Sequence, residues 1–245
     1  GKPYKILLPA LGKSSRFKNK GIFCDKMFLP ISRDWTVLVI DSVLSPFLNE
    51  KFSVTLGVST SLFSQARDYL SQRPYQNVNI LELTEESQGQ AHTVMMMLEQ
   101  LALGDSDGFS VHNVDTGINY TLDNSYTKNS NQIDVFESDG DQWSFVEPAD
   151  KMNVKRVTEK KRISNLCSNG FYQFESVNLY KTAYEEIYKV EESEESNAEC
   201  YIAPMYNVLI EEGHSVKYRL VPKNEHNFYG TPEEYFQEIE EINDK

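Results

Sequence analysis

Residues 6–30, ILLPALGKSSRFKNKGIFCDKMFLP, decide how the rest of the chain is read. The run Ile6-Leu7-Leu8 is continuously apolar, as a buried strand would be. A small loop follows, Gly12-Lys13-Ser14-Ser15, whose short side chains leave backbone N–H groups uncovered and able to converge on an anion. Arg16, Lys18, Lys20 and Lys26 then add the positive charge that a polyphosphate needs. Taken alone, the stretch reads equally as a strand, a turn and a solvated basic loop, so the flanking sequence has to decide.

The chain has 245 residues, enough for one large α/β domain or two small ones. Hydrophobic residues make up 40% and aromatics 12%, sufficient for a sizeable core. A formal net charge of −13 argues against a general partner among nucleic acids or anionic membranes, both of which need a basic face. The basic cluster of residues 6–30 instead favours a small anionic ligand held in one place. Three cysteines, Cys24, Cys167 and Cys200, lack any C-x-x-C spacing and read as reduced. No apolar run approaches the ~18 residues of a membrane span. The apolar start is too short for a signal peptide. The expectation is a cytoplasmic protein.

Further along, residues 37–44 predict a helix stopped near Pro46. Residues 52–58 read as a strand, and 60–72 as a helix capped by Thr60 or Ser61. Residues 78–83 are a third strand. The loop SQGQAH then leads into a helix with Ala91, Val94, Met95, Leu98 and Leu101 as its apolar stripe, and residues 109–111 form a strand ended by His112-Asn113-Val114-Asp115. This β-loop-α-β-α-β-loop-α-β order predicts an α/β fold, a Rossmann-like sheet with helices on both faces and ligands at the carboxyl ends of its strands. Residues 119–132 are polar and read as loop and weak helix. Residues 133–136 and 143–146 look like strands joined by the acidic turn 138–141. Residues 154–159, 170–174 and 216–221 are further strands. Residues 179–190, 202–212 and a segment opening at Thr231-Pro232 are helices, the second stopped at Gly213. Residues 191–199, EESEESNAE, read as a surface loop or helix end. One domain is expected over 1–245, with 1–125 as a nucleotide-binding half and 126–245 as an acceptor-binding half.

Several residues carry candidate chemistry. Asp115, in VHNVDTGI, follows a strand. A carboxylate there can hold Mg²⁺ against triphosphate oxygens, or merely form a turn. No D-x-D motif is present, since Thr116-Gly117 follow. Gln88, Gly89 and Gln90 open a helix, where glycine permits close approach and the amides can read a base edge; an ordinary polar helix start is the plainer alternative. Glu159 and Lys160 end a strand and can meet an acceptor's hydroxyls and phosphate, or form a solvated charge pair. His112, His214 and His226 show no ligand spacing, and neither a serine triad nor H-E-x-x-H is present, so zinc is unsupported.

In this order the segments resemble the nucleotidyltransferase family that makes nucleotide-activated sugars and phospho-alcohols. That family opens with a strand, a G-x-G-[ST]-R loop and a P-K pair. Gly12, Ser15, Arg16 and Lys26 match, while Ser14 replaces the second glycine and Asp25 the proline. SQGQAHTV resembles the family's base-reading loop, NVDTG its metal-binding strand end, VTEKKRISNLCSNGFYQF its acceptor section and YGTPEEY its closing helix. The match spans nearly the whole chain and implies a GT-A-like fold. It also implies Mg²⁺-dependent attack of an acceptor phosphate on the α-phosphorus of a nucleoside triphosphate. By this resemblance Arg16, Lys26 and Asp115 are catalytic. Leu11, Gly12, Ser14, Ser15, Gln88, Gly89 and Gln90 bind nucleotide. Ser144, Glu159, Lys160, Asn169 and Gly170 bind the acceptor. Many members carry a second metal-binding Asp where this chain has Phe228; either Asn227 or Glu225 substitutes for it, or the second carboxylate is dispensable.

The ILLP opening and NVDT turn look most like cytidylyltransferases of capsule and lipopolysaccharide loci. They favour CTP, with phosphocholine, a phosphosugar or phosphoglutamine as acceptor. A dTTP- or UTP-dependent sugar-1-phosphate enzyme and a non-catalytic nucleotide-binding relative are the alternatives. A nucleotide-sugar glycosyltransferase is disfavoured by the missing D-x-D, and a dinucleotide dehydrogenase by the missing third glycine. A homodimer is a further expectation.

Overall fold

The computed structural model describes residues 1–188 and 198–243. In chain order the first half contains β1 (Tyr4–Ala10), α1 (Ser15–Asn19), α2 (Val39–Leu44), β2 (Phe52–Ser59), α3 (Thr60–Ser71), β3 (Val78–Leu83), α4 (Gln90–Gln100), β4 (Phe109–His112) and β5 (Thr116–Ile118). The second contains β6 (Asn131–Glu137), β7 (Ser144–Pro148), β8 (Val154–Glu159), β9 (Leu166–Phe174), α5 (Val177–Tyr188), α6 (Met205–Glu211), β10 (Val216–Leu220), β11 (His226–Phe228) and α7 (Pro232–Asn243).

The main sheet runs β10-β6-β9-β4-β1-β2-β3, with β7 joined to β9 and β8 joined to β7. Neighbours β1, β2, β3 and β4 are parallel, whereas β9 runs antiparallel to both β4 and β6. The fold is therefore the mixed, mostly parallel Rossmann-like sheet expected. The alternation of a strand assigns its faces. Ile6 and Leu8 pack with α2, α3 and Tyr235 of α7, while Leu7 packs on the other side with α4, α5 and α6. Because β1 and β4 are adjacent and parallel, Lys5 beside Phe109 and Leu7 beside Val111, the loops after both strands emerge at one edge. Among the described residues no helix is long and apolar enough to cross a membrane.

Several local expectations change. The small loop of residues 12–15 leads directly into a helical turn, α1, entered through Ser14 in the left-handed region (φ 51°). The residue before α3 is Ser59, with no side-chain cap, so neither Thr60 nor Ser61 caps that helix. The α4 stripe is wider than a single face: Thr93, Met96 and Met97 are buried too, and Leu101 lies past its end. Strands β6 and β7 exist but do not pair; β7 forms its hairpin with β8, placing Ser144 opposite Glu159. The short pair β5–β11 was not expected, and it docks the segment before α7 onto the Asp115 turn. Helix α6 begins at Met205, after Pro204. Lys189, Val190 and residues 191–197, read as helix end and charged loop, lie outside the described residues.

A buried polar network braces the second half. Asp134, fully buried on β6, accepts from Arg219 (3.0 Å), Tyr120 (2.7 Å) and Tyr126 (2.6 Å). Arg219 also reaches Gln173 on β9 (2.8 Å), so one charge pair ties β6, β9 and β10 together. Removing one partner of such a pair strands the other charge and costs about 3–5 kcal/mol.

His112 braces the edge that carries Asp115. Its ring is wholly buried between Phe47 (5.7 Å) and Phe171 (5.9 Å). Nε2 donates to the Thr116 carbonyl (2.6 Å), and Nδ1 has no partner. Burial pushes its pKa down to about 4. The unfolded chain takes up this proton near pH 6.5, the folded chain only near pH 4. The stability contributed by the neutral ring is therefore complete above pH 6.5 and is lost as pH falls to about 4. Urea unfolding should trace about 3 kcal/mol of the stability lost between pH 7 and pH 4 to this residue. The His112→Gln variant should show a correspondingly shallower pH slope; an unchanged slope would contradict the assignment.

Candidate functional site

Two clefts meet at the carboxyl edge of β1 and β4. One, about 610 Å³, is lined by Leu11, Gly12, Ser15, Lys26, the Gln88-Gly89-Gln90 loop and Asp115. The other, about 680 Å³, is lined by Arg16, Ser144, Glu159, Lys160, Asn169, Gly170, Phe228 and Glu234. Gln90, Asn113, Asp115 and Tyr201 line both. A cleft of similar size at the opposite end of the sheet, around Lys5 and Lys51, holds none of the residues singled out from the sequence.

At the junction Lys26 Nζ forms a close ion pair with Asp115. The Lys26 side chain is 15% exposed and that of Asp115 38%. Lys26 is set by a 3₁₀ turn, Lys26–Phe28, whose first N–H groups are capped by Asp25: Met27 N donates to its Oδ1 (3.1 Å). Burial and the Asp115 charge push the Asp25 carboxyl above its usual range. Ser14 does not line the first cleft. It is buried, and its Oγ accepts from Lys26 N (3.4 Å), so it fixes the lysine's backbone rather than presenting a hydroxyl to a ligand. Arg16 faces the second cleft, not the first.

The Gln88 loop is held by a crossing strap. Cys200 N donates to Gln88 O (2.8 Å) and Ala91 N to Cys200 O (3.0 Å). Gly89 adopts φ +140°, and a Cβ there would stand 2.6 Å from the Cys200 backbone, so only glycine fits this approach.

In the second cleft, Ser144 donates to Glu159 across the β7–β8 hairpin, and burial pushes the Glu159 carboxyl up. Lys160 sits in the left-handed region (φ 57°), an uncommon conformation for a side-chain-bearing residue and one that clusters at functional sites. Its Nζ donates to Tyr201 Oη (3.0 Å). Asn169 lines the cleft, but its amide is committed elsewhere: Nδ2 faces Tyr120 Oη (2.8 Å) and His226 Nε2 (3.0 Å), and Oδ1 accepts from Phe171 N (3.0 Å). It therefore joins the cleft to the Asp134 network. Gly170 meets the Asp115 segment through its carbonyl, which accepts from Asn113 N (3.2 Å). Trp143 and Phe228, ring centroids 5.5 Å apart, form an aromatic wall.

Asn227 is not brought to Asp115. On β11 it alternates away from Phe228, and its amide bonds Glu238 (2.8 Å) and Asn119 (2.9 Å). The carboxylate that does arrive is Glu234, from the first turn of α7, where Thr231 Oγ1 accepts its N–H (3.2 Å). Burial and the Asp115 charge push the Glu234 carboxyl up. A Cβ on Gly230 would stand 3.2 Å from Glu234 Oε1 and 3.7 Å from Asp115 Oδ2, so glycine keeps a gap open between two carboxylates. That donor set fits Mg²⁺, which takes one or two carboxylates and completes its shell with phosphate oxygens and water. Among the described residues no group of three or more His, Cys, Asp and Glu is placed to hold a metal by itself. The sequence reading missed Glu234 because Glu233-Glu234 is explained by the positive end of a helix alone. The available signal was Glu234 lying one helical turn beyond Gly230. Tyr201 was missed because no local pattern marks it.

No family model matches the chain, and no curated protein matches it. Solved structures do. A nucleoside-diphosphate-sugar pyrophosphorylase from Vibrio cholerae RC9 superposes with a TM-score of 0.85 at 31% identity, covering 96% of this chain and 99% of its own. The inositol-1-phosphate CTP transferase from T. maritima gives 0.72 at 12% identity, covering 99% and 97%. A UDP-glucose pyrophosphorylase from Acinetobacter baumanii gives 0.69 at 14% identity, covering 97% and 92%. The latter two share the fold. With the first, the likeness extends to sequence over nearly the full length of both chains, and this chain belongs to the nucleotidyltransferase family.

Proposed function

We propose that the chain transfers a nucleoside monophosphate from a nucleoside triphosphate to a small phosphorylated acceptor, releasing pyrophosphate. The observation that carries this reading is the Lys26–Asp115 pair standing where the two clefts meet. The nucleotide cleft takes the triphosphate along the 12–15 loop, with the Gln88 loop beside the base. The acceptor cleft takes the second phosphate against Arg16 and Lys160, with Glu159 and Ser144 toward the acceptor's hydroxyls or amines. An acceptor phosphate oxygen attacks the α-phosphorus in line, the α–β bridging P–O bond breaks, and its electrons leave with pyrophosphate.

This chemistry needs no general base, because the nucleophile is already an anion. The difficulty is bringing two phosphates together. Positioning in adjoining clefts and the cations Arg16, Lys26 and Lys160 offset that repulsion. Asp115 and Glu234 are the residues that would hold Mg²⁺. When bound, the ion neutralises charge on the phosphates and on the leaving pyrophosphate.

CTP is favoured by the resemblance of the ILLP opening and the NVDT turn to capsule-locus cytidylyltransferases. Phosphocholine, phosphosugar and phosphoglutamine remain the acceptors to compare, and surface polysaccharide synthesis the expected setting. The second reading, a nucleotide-binding relative without turnover, is favoured by Phe228 standing where many members carry an aspartate.

Pyrophosphate release across CTP, UTP, dTTP, ATP and GTP, each with phosphocholine, phosphoglutamine and hexose 1-phosphates, tests the proposal. Turnover is expected with CTP and one acceptor. Its absence for every pair, in protein shown to be folded, would overturn the transferase reading. In the active pair, Asp115→Asn is expected to lower kcat by about 10²-fold or more, on the scale seen when a group stabilising transition-state charge is removed. Glu234→Gln should raise the Mg²⁺ concentration needed for half-maximal turnover. Full activity of Asp115→Asn would count against the assigned roles.

A further inference from the structure

The strap that holds the base loop also reaches the acceptor lysine. Cys200 is bonded on both sides to the Gln88 loop, through Gln88 O and Ala91 N, and is buried. Its neighbour Tyr201 is thereby fixed in the wall shared by the two clefts. The Tyr201 hydroxyl accepts from Lys160 Nζ (3.0 Å) and donates to Glu199 Oε2 (2.8 Å), and the ammonium also lies 5.2 Å from the centre of the tyrosine ring. Lys160 is an exposed side chain on a left-handed residue. Without a peg, such a flexible ammonium samples many rotamers, and ordering it on a ligand carries an entropic cost.

We propose that Tyr201 is a positioning residue: from the wall shared by the two clefts its hydroxyl holds the Lys160 ammonium in the second cleft, pre-oriented toward an anionic phosphate of the acceptor. An ammonium has three N–H donors, so the bond to Tyr201 leaves two for that phosphate. Glu199, accepting the tyrosine proton, turns the hydroxyl's lone pairs toward Lys160 and fixes the direction of the chain Lys160 to Tyr201 to Glu199. The base loop and the acceptor lysine are thus placed by one short segment. The inference rests on the reading of the second cleft as the acceptor site.

The test is a ³¹P NMR titration with inorganic phosphate as the probe, on full-length protein whose nucleotide cleft is filled with α,β-methylene-CTP and Mg²⁺. Tyr201→Phe keeps the ring and removes only the hydroxyl. It is expected to weaken phosphate binding about fivefold to tenfold, the scale of one net hydrogen bond. The loss of affinity for the nucleotide analogue should be smaller. Lys160→Met should weaken phosphate at least as much. Unchanged phosphate affinity in Tyr201→Phe, with a clear loss in Lys160→Met, would overturn the positioning role while leaving the transferase reading intact. Unchanged affinity in both variants would remove Lys160 from the acceptor site and this inference with it.

Discussion

Lys26 and Asp115 meet because β1 and β4 are adjacent and parallel, so the segments that follow both strands emerge at one edge of the sheet. In the free protein each charge answers the other. On the proposed reading, an arriving triphosphate would compete with Asp115 for the lysine, and a divalent cation with the lysine for Asp115. The pair thus neutralises both charges in the free protein and would exchange partners when substrate binds. Its supports are specific: Ser14 and Asp25 on the lysine's side, and His112 and the β5–β11 ribbon on the aspartate's. The two departures from the family's opening motif are among these supports, so they read as a different way of fixing Lys26 rather than as damage.

The same logic accounts for Phe228. With an aromatic residue there, the second cleft gains a wall shared with Trp143, and on the proposed reading Glu234, in the first turn of α7, supplies the second carboxylate. The positive end of a helix tolerates a half-buried carboxylate well. Gly230 supplies the space that lets Glu234 and Asp115 face one gap.

Elements whose signal is local were legible in the sequence. The apolar runs of β1, β2 and β3 and the loop-to-helix start at Gln88 needed only periodicity and glycine. So did the carboxyl-end position of Asp115. What stayed hidden depends on contacts between distant segments. The pairing of β7 with β8 rather than β6, and the β5–β11 ribbon, are set by register across the sheet; three-residue strands carry no periodic signature. Asn169 looked free because its partners, Tyr120 and His226, come from other segments. Asn227 looked available for the same reason, its amide being taken by Glu238 of α7. Tyr201 became visible only when the strap crossed the base loop.

A crystal structure of the protein with α,β-methylene-CTP and Mg²⁺ tests the central claim most directly. The account predicts the triphosphate along the 12–15 loop amides, with Lys26 Nζ turned from Asp115 onto phosphate oxygens and the cation between Asp115, Glu234 and the phosphates. A nucleotide bound elsewhere, or a Lys26–Asp115 pair unbroken beside a bound triphosphate, would contradict it.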